Sequence, residues 1–240
     1  MEVNSKLNLS SLEEKIGYKF KNITLLKNSL VHRSFGNENK RYKKINNERL
    51  ELLGDAVLDL IVAEYLYKNH TNYTEGDLAK IKSMAVSEPV LAKVSRKLGL
   101  GEYLYLSRGE LLTGGRDRSS ILGDLFEAVL GAVYLDSDFE TARRVALSHL
   151  KYSIDHIEED EEIMDFKTIL QEYSQKVYKK VPTYEVINET GPDHKKLFEI
   201  VVKIGDEIYE KGIGKSKKLA EHGAAQALCK KLGVKYNETL

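Results

Sequence analysis

The 240-residue sequence contains one cysteine, no tryptophan and no apolar run near the roughly 20 residues that a membrane-spanning helix needs. The single cysteine, Cys229, cannot form an internal disulfide, and its helical pattern predicts a buried small side chain. The amino-terminal residues do not show the basic-then-apolar pattern of a secretion signal. These absences predict a globular protein in a reducing compartment, and we expect a cytoplasmic location and no membrane partner.

The chain also has no net charge, because 37 basic residues balance 37 acidic ones. This balance by itself argues against a nucleic-acid partner. It hides an asymmetry, since residues 1–162 carry 23 Lys and Arg against 26 Asp and Glu, whereas residues 163–236 carry 14 against 10. The carboxyl-terminal third is therefore basic, and the acidic residues concentrate before it.

A stripe of carboxylates runs along a segment that is otherwise apolar, Asn46–Tyr67. At helical spacing, four of its five acidic residues fall within roughly 80° of one another: Glu48, Glu51, Asp55 and Asp59. The apolar remainder predicts that most of this helix is buried. Because a buried carboxylate needs a cation, a basic partner or a raised pKa, the stripe indicates a hard-cation site with oxygen ligands. A solvated helix face is the alternative interpretation.

A second apolar segment, Ser119–Asp136, carries another acidic pair and favours the cation site. Asp124 and Glu127 are three residues apart, so they share one face of the predicted helix, which Ser119 or Ser120 would cap. We expect the two helices to bring four carboxylates together. The loop Thr113–Arg118 before it is rich in glycine and basic, as in a phosphate-binding loop or an ordinary helix entry.

Other helical patterns surround these two segments. Asn22 is positioned to cap a helix that runs to Phe35, which would place His32 and Arg33 at its end. There His32 would interact with the terminal carbonyls or the helix dipole more readily than act as a ligand or an acid–base group. Further helices are predicted at Leu7–Phe20, ending near Gly17, and at Glu75–Ala85, Ser87–Leu98 and Phe139–Ile157.

The periodicity changes after an acidic run at Glu158–Glu162, which predicts a linker over residues 158–164. Residues 165–234 then follow the order α-β-β-β-α. The predicted elements are a helix at Asp165–Tyr178, strands at Pro182–Glu189, Lys196–Ile204 and Glu207–Ile213, and a basic helix within Gly214–Leu232. The fold class is therefore multidomain, with an all-helical domain over residues 1–157 and a small α+β domain after the linker.

Two motifs identify a family resemblance, NERLELLGD at Asn47–Asp55 and TGGRDRSSILGDLFEA at Thr113–Ala128. Together they resemble bacterial ribonuclease III, and the last third resembles the double-stranded-RNA-binding domain that follows its nuclease domain. The resemblance implies a homodimeric endoribonuclease that uses Mg²⁺, with Mn²⁺ as a plausible substitute, and no organic cofactor. It also implies 5′-phosphate and 3′-hydroxyl ends, and processing of ribosomal, messenger and transfer RNA precursors.

The resemblance assigns roles to individual residues. The family's metal-binding catalytic carboxylates match Glu51, Asp55, Asp124 and Glu127. Within this set we expect Glu51, Asp124 and Glu127 to hold the metal and Asp55 to position or activate water, with Asp55 and Glu127 as the catalytic residues. Glu48 and Glu75 match acids that support the site or the subunit contact. Asp59 matches no catalytic position, and we expect it to be structural or solvated. The sequence departs from the family at Leu52, where an aromatic residue usually plugs into the partner subunit.

The basic tail carries the predicted RNA contacts. Lys217 and Lys218 would meet phosphates at the start of the last helix. The other predicted contacts are Thr168, Gln171 and Glu172 on the first tail helix, and Pro192, Asp193 and His194 in the loop between the first two strands.

Three other classes of function compete with this interpretation. A protein that only binds RNA would keep the fold without cooperating carboxylates. A di-iron carboxylate bundle needs Glu-x-x-His pairs, but Gly54 and Leu130 stand three residues after Glu51 and Glu127. A structural protein would leave the second acidic helix unexplained.

Overall fold

The computed structural model describes residues 8–39, 42–157, 164–192, 196–205 and 208–234. These residues form two compact units, residues 1–157 and 158–240. The predicted linker run at Glu158–Glu162 and the loop residues Asp193 and His194 lie outside the described residues.

The first unit is helical throughout its described part. Its nine α-helices within that part are α1 (Leu9–Ile16), α2 (Ile23–Ser29), α3 (Phe35–Glu38), α4 (Glu48–Asn69), α5 (Glu75–Ala85), α6 (Glu88–Leu98), α7 (Arg108–Leu112), α8 (Ser119–Asp136) and α9 (Phe139–Asp155). Helix α8 is the centre of this unit, because 11 of its 18 residues are buried and it packs against α2, α4, α6 and α9. The predicted all-helical first domain is confirmed.

Helices α4 and α8 cross with their backbones in direct contact, which only glycine permits. A Cβ on Gly54 would lie 2.5 Å from the carbonyl carbon of Glu127 and 3.1 Å from its Cα. In the same way, a Cβ on Gly131 would lie 3.2 Å from the carbonyl carbon of Leu50. The two glycines therefore fix the separation of the helices that carry the predicted carboxylates.

The prediction for the segment before α4 is wrong in one respect. A continuous helix from Asn22 to Phe35 was expected, but α2 ends at Ser29 and Val31 pairs with Tyr105 in a parallel bridge. The backbone N–H of His32 donates to the carbonyl of Tyr105 at 3.1 Å, and that of Tyr105 donates to the carbonyl of Leu30 at 2.9 Å. Partners more than 70 residues away along the chain thus replace the next helical turn, and His32 does not cap a helix end.

Two local expectations for the main helices also need correction. Neither Ser119 nor Ser120 caps α8, since Arg118 holds the cap position and makes no side-chain capping bond. On α4, the predicted burial fails along one stripe, where Leu52, Leu60 and Tyr67 are 74%, 58% and 76% exposed.

The second unit has the predicted α-β-β-β-α order. Helix α10 (Phe166–Tyr178) is followed by β1 (Thr183–Thr190), β2 (Leu197–Ile204), β3 (Ile208–Gly214) and α11 (Lys217–Lys231). The strands form one antiparallel sheet in the order β1-β2-β3. Helix α11 lies close to β3 because Gly212 leaves no Cβ between the strand and the buried Ala220 and Ala224.

Cys229 lies on α11 and is fully buried, as the helical pattern predicted. Among the described helices, none combines the length and the apolar character that crossing a bilayer requires.

Candidate active site

Three carboxylates from α4 and α8 converge at the helix crossing. Glu51, Asp124 and Glu127 each offer an oxygen atom, and these atoms lie within 4.8 Å of one another. All three side chains are partly buried. Within the described residues, this is the group of acidic, histidine or cysteine side chains whose geometry suits a metal ion.

The crossing explains why these residues meet. Gly54 lies one turn after Glu51, and its closest approach is to the backbone of Glu127 itself. The carboxylates therefore project from two main chains in contact at the positions that carry them. Oxygen donors at this spacing can hold a divalent cation such as Mg²⁺.

Without a bound cation, the negative charges of these carboxylates repel one another in a partly buried site. Burial, followed by repulsion from Asp55, Asp124 and Glu51, raises the pKa of Glu127 to about 8. Burial also raises the pKa of Glu51, with repulsion from Asp124 as the next cause, and it raises the pKa of Asp124. A bound cation would relieve both causes, because it replaces lost solvation and neutralises like charges.

Asp55 does not join this group, although the sequence placed it there. Its side chain is exposed one turn along α4, and it acts on Glu127 through its charge rather than through a shared ligand position. Asp59, predicted to be structural or solvated, forms an ion pair with Lys82 at 2.7 Å.

The two predicted supporting acids lie outside the cluster. Glu48 is exposed at the start of α4, where it accepts a hydrogen bond from Asn46 at 2.9 Å and pairs with Arg33 at 3.5 Å. Glu75 is exposed in the first turn of α5.

The glycine-rich loop before α8 has its arginines engaged within the protein. Arg116 donates to the carbonyl oxygens of Gly101 and Glu102 at 2.6 and 2.9 Å. Arg118 pairs with Glu110 at 2.7 Å. These contacts favour the helix-entry interpretation of Thr113–Arg118 over a phosphate-binding loop.

A cavity of about 510 Å³ opens beside the cluster, and sequence reasoning did not anticipate it. Its wall combines the carboxylates of Glu48, Glu51, Glu110 and Asp124 with the basic side chains of His32, Arg33 and Arg118. Its residues come from four separate stretches of the chain, so spacing along the sequence gave no signal for it.

In the second unit, the described candidate RNA contacts are exposed. Thr168, Gln171 and Glu172 share the outer side of α10, and Pro192 follows β1. Lys217 and Lys218 stand in the first turn of α11, where Lys217 lies 3.4 Å from Glu189 and over the ring of Phe198.

Comparisons with known proteins agree with both units. Residues 22–154 match the Ribonuclease-III-like family, and residues 166–232 match the double-stranded RNA binding motif. A protein named Ribonuclease 3 from Fusobacterium nucleatum is 62% identical over 97% of this chain and 99% of its own length. Another, from Caldanaerobacter subterraneus, is 48% identical over 94% of this chain and 99% of its own length.

A solved structure extends the comparison to three dimensions. The nuclease domain of ribonuclease III from Campylobacter jejuni superposes with a TM-score of 0.57 at 42% identity, over 60% of this chain and 97% of that one. With its helical unit, its α-β-β-β-α unit and its full-length relatives, the chain belongs to the ribonuclease III family, the endonucleases that cleave double-stranded RNA.

Proposed function

We propose that this endonuclease hydrolyses phosphodiester bonds of double-stranded RNA with Mg²⁺ held by Glu51, Asp124 and Glu127. The observation that carries the proposal is the convergence of three carboxylates within 4.8 Å on two helices in backbone contact. The donor set consists of carboxylate oxygens alone, which suits Mg²⁺ and also Mn²⁺, whereas a site for softer metals would use thiolate or imidazole.

The carboxylates have two roles: Glu51, Asp124 and Glu127 bind the ion, and Asp55 acts on the attacking water. When bound, the ion supplies charge neutralisation for the phosphoryl oxygens and acidifies water. Asp55 is exposed beside the cluster, so its carboxylate is free to orient the attacking water and accept its proton. Glu127 is partly buried, and its carboxylate is repelled both by Asp55 and by the other two proposed metal ligands, Asp124 and Glu51. Hydrolysis in this arrangement leaves 5′-phosphate and 3′-hydroxyl ends.

The tail unit supplies affinity for the duplex. Exposed lysines in the first turn of α11 attract phosphate together with the helix N-terminus. The exposed polar side of α10 offers Thr168, Gln171 and Glu172 to ribose hydroxyls, and Pro192 borders the loop proposed to enter a minor groove. The proposed contacts at Asp193 and His194 in that loop lie outside the described residues.

A homodimer is proposed from the surface of α4. Its exposed residues at positions 52, 56, 60, 63 and 67 are all apolar or aromatic and fall within about 80° of one another at helical spacing. Exposed leucines aligned in this way are typical of a surface that another protein covers. Leu52 would fill the place of the family's aromatic residue, and Glu48 and Glu75 are proposed to support the site or the subunit contact.

The substrates proposed are precursors of ribosomal RNA, with some messenger and transfer RNA transcripts. The location proposed is the cytoplasm, where such transcripts occur and where a lone buried thiol stays reduced.

The test is a gel assay of a paired RNA duplex with and without Mg²⁺, beside a DNA duplex of the same sequence. We expect cleavage of RNA alone, only with metal, and its loss in Glu127→Gln while duplex retardation persists. Asp59→Asn is the control, since it removes a carboxylate of α4 that pairs with Lys82 and is not one of the three that converge. Retarded but uncut RNA with the unaltered protein would favour the binding-only alternative, and normal turnover of Glu127→Gln would overturn the site.

A further inference from the structure

His32 lines the cavity beside the acidic cluster, and the first role assigned to it, at a helix end, does not apply. Its ring is half-buried and shares the cavity wall with Glu51 and Asp124. No described residue forms a hydrogen bond with its Nε2 atom. What this nitrogen offers to the cavity depends on where the ring carries its proton.

The hydrogen bonds at Nδ1 determine the tautomer. The backbone N–H of Ser34 donates to Nδ1 at 3.3 Å, so Nδ1 is an acceptor. The Ser34 hydroxyl lies 2.8 Å from the same nitrogen, while its oxygen accepts from the backbone N–H of Ser107 at 3.0 Å. Because Nδ1 already accepts from the Ser34 N–H, the hydroxyl is the donor in this second contact. The neutral ring then carries its proton on Nε2.

Ser34 is itself held in place by burial and hydrogen bonding, and it therefore fixes the orientation of the His32 ring. It is only 9% exposed, and its bond to Ser107 joins the segment after α2 to the residue that caps α7. Burial lowers the pKa of His32, which favours the neutral ring. In this tautomer Nε2 carries a proton and can donate a hydrogen bond, and His32 is not among the described side chains that converge at the acidic cluster.

The rest of the cavity indicates what the donor meets. Arg33 and Arg118 also line it, where they pair with Glu48 at 3.5 Å and with Glu110 at 2.7 Å. The backbone of an RNA strand whose phosphate reaches the cluster carries phosphate oxygens and ribose hydroxyls, and both can accept a hydrogen bond. We propose that His32 is a substrate-binding residue whose Nε2–H donates a hydrogen bond to an oxygen of the RNA strand at the acidic cluster. The inference rests on the proposed function, because it takes the cluster to be the place of cleavage.

Two isosteric substitutions separate this role from a structural one. In His32→Gln the side-chain amide places an N–H near the Nε2 position but leaves Ser34 without its acceptor. In His32→Asn the amide oxygen takes the Nδ1 position and still accepts from Ser34. The shorter side chain has no N–H donor at the position of Nε2. Single-turnover kcat/KM on a duplex with one mapped cleavage position should fall about ten-fold in His32→Asn, the equivalent of one hydrogen bond, and only a few-fold in His32→Gln.

The opposite order, with His32→Asn active and His32→Gln impaired, would show that the ring only holds Ser34 and would overturn the proposal. Equal rates in both variants and the unaltered protein would also overturn it, as would equal losses. Thermal melting of each full-length variant checks that the fold is intact. If the unaltered protein does not cleave the duplex at all, the proposed function fails, whereas cleavage that is indifferent to these two variants refutes the role of His32 alone.

Single 2′-deoxy substitutions in the RNA identify the oxygen. If the acceptor is a ribose hydroxyl, one such substitution will slow the unaltered protein about ten-fold and will not slow His32→Asn further. If the acceptor is a phosphate oxygen, every deoxy substitution will affect both proteins equally.

Discussion

Replacing Gly54 with alanine should separate the two helices that carry the carboxylates. The added Cβ would overlap the carbonyl oxygen of Glu127 and start 2.5 Å from its carbonyl carbon. Ordinary contact begins at 3.4 Å, so the backbones must move apart by more than about 0.9 Å. Main-chain atoms cannot rotate away as a flexible side chain can. Overpacking of this kind costs about 3 kcal/mol, and alanine's better helix propensity offsets roughly 1 kcal/mol of it.

The net destabilisation of about 2 kcal/mol corresponds to a fall in Tm of about 4–8 °C for a unit of this size. Cleavage should be lost at temperatures well below that midpoint, because ligand atoms that lie within 4.8 Å would no longer converge. Differential scanning calorimetry and the duplex cleavage assay measure the two effects.

The matched control is Gly123→Ala on α8, whose Cβ would meet nothing closer than 3.7 Å. This variant should melt at or slightly above the original temperature and retain cleavage, since it gains helix propensity without a clash. A Gly54→Ala protein that behaves like Gly123→Ala would refute the claim that backbone contact sets the spacing of the site.

Three further results are expected. In EDTA, the free energy of unfolding should fall as pH rises from about 4.5 to about 8, because the folded protein binds the Glu127 proton more tightly than the unfolded chain does. Glu127→Gln should lessen that slope and, after allowance for solvent screening, be more stable than the original by ~1 kcal/mol at pH 8; an unchanged slope in urea titrations would contradict this. Replacing Lys217 and Lys218 with alanine should weaken duplex binding and reduce the slope of log K against log salt by about 1 to 2. The control Lys203→Ala removes a sheet lysine that pairs with Glu185 and should leave the slope unchanged. Equal slopes for the two proteins would contradict the proposed phosphate contacts at the start of α11. Leu52→Glu should convert the proposed dimer to a monomer in sedimentation. The control Tyr152→Glu alters a residue that is 75% exposed on α9 and should leave the dimer intact. A Leu52→Glu protein that still sediments as a dimer would show that α4 does not form the interface.

Helical periodicity predicted α4 and α8 well, because long apolar segments with few breakers have one stable outcome in water. The predicted start of α8 at Ser119 and its end at Asp136 are confirmed. The pairing of Asp124 with Glu127 also follows from local spacing alone. The order of elements in the tail followed from turns and a change of period, and it too is confirmed.

Features that depend on distant partners were not predictable in this way. The end of α2 at Ser29 depends on Tyr105, and nothing in the sequence near residue 30 signals that bridge. The sequences of α4 and α8 contain similar runs, ELLGDAVL at Glu51–Leu58 and SILGDLFEAVL at Ser120–Leu130. This similarity aligns Gly54 with Gly123, but the glycine of α8 that packs against α4 is Gly131, two turns later.

Helix α4 has three sides with separate roles, so few of its residues can be replaced without an effect. One side packs into the core through residues such as Leu58 and Ile61, another carries Glu51 and Asp55, and a third is the exposed apolar stripe. Most surface helices keep a side on which substitutions have little effect, but this one has a separate demand in nearly every direction. In a scan of all single substitutions, we therefore expect low tolerance along α4 even at the exposed positions of the apolar stripe, which a burial-based forecast would score as neutral.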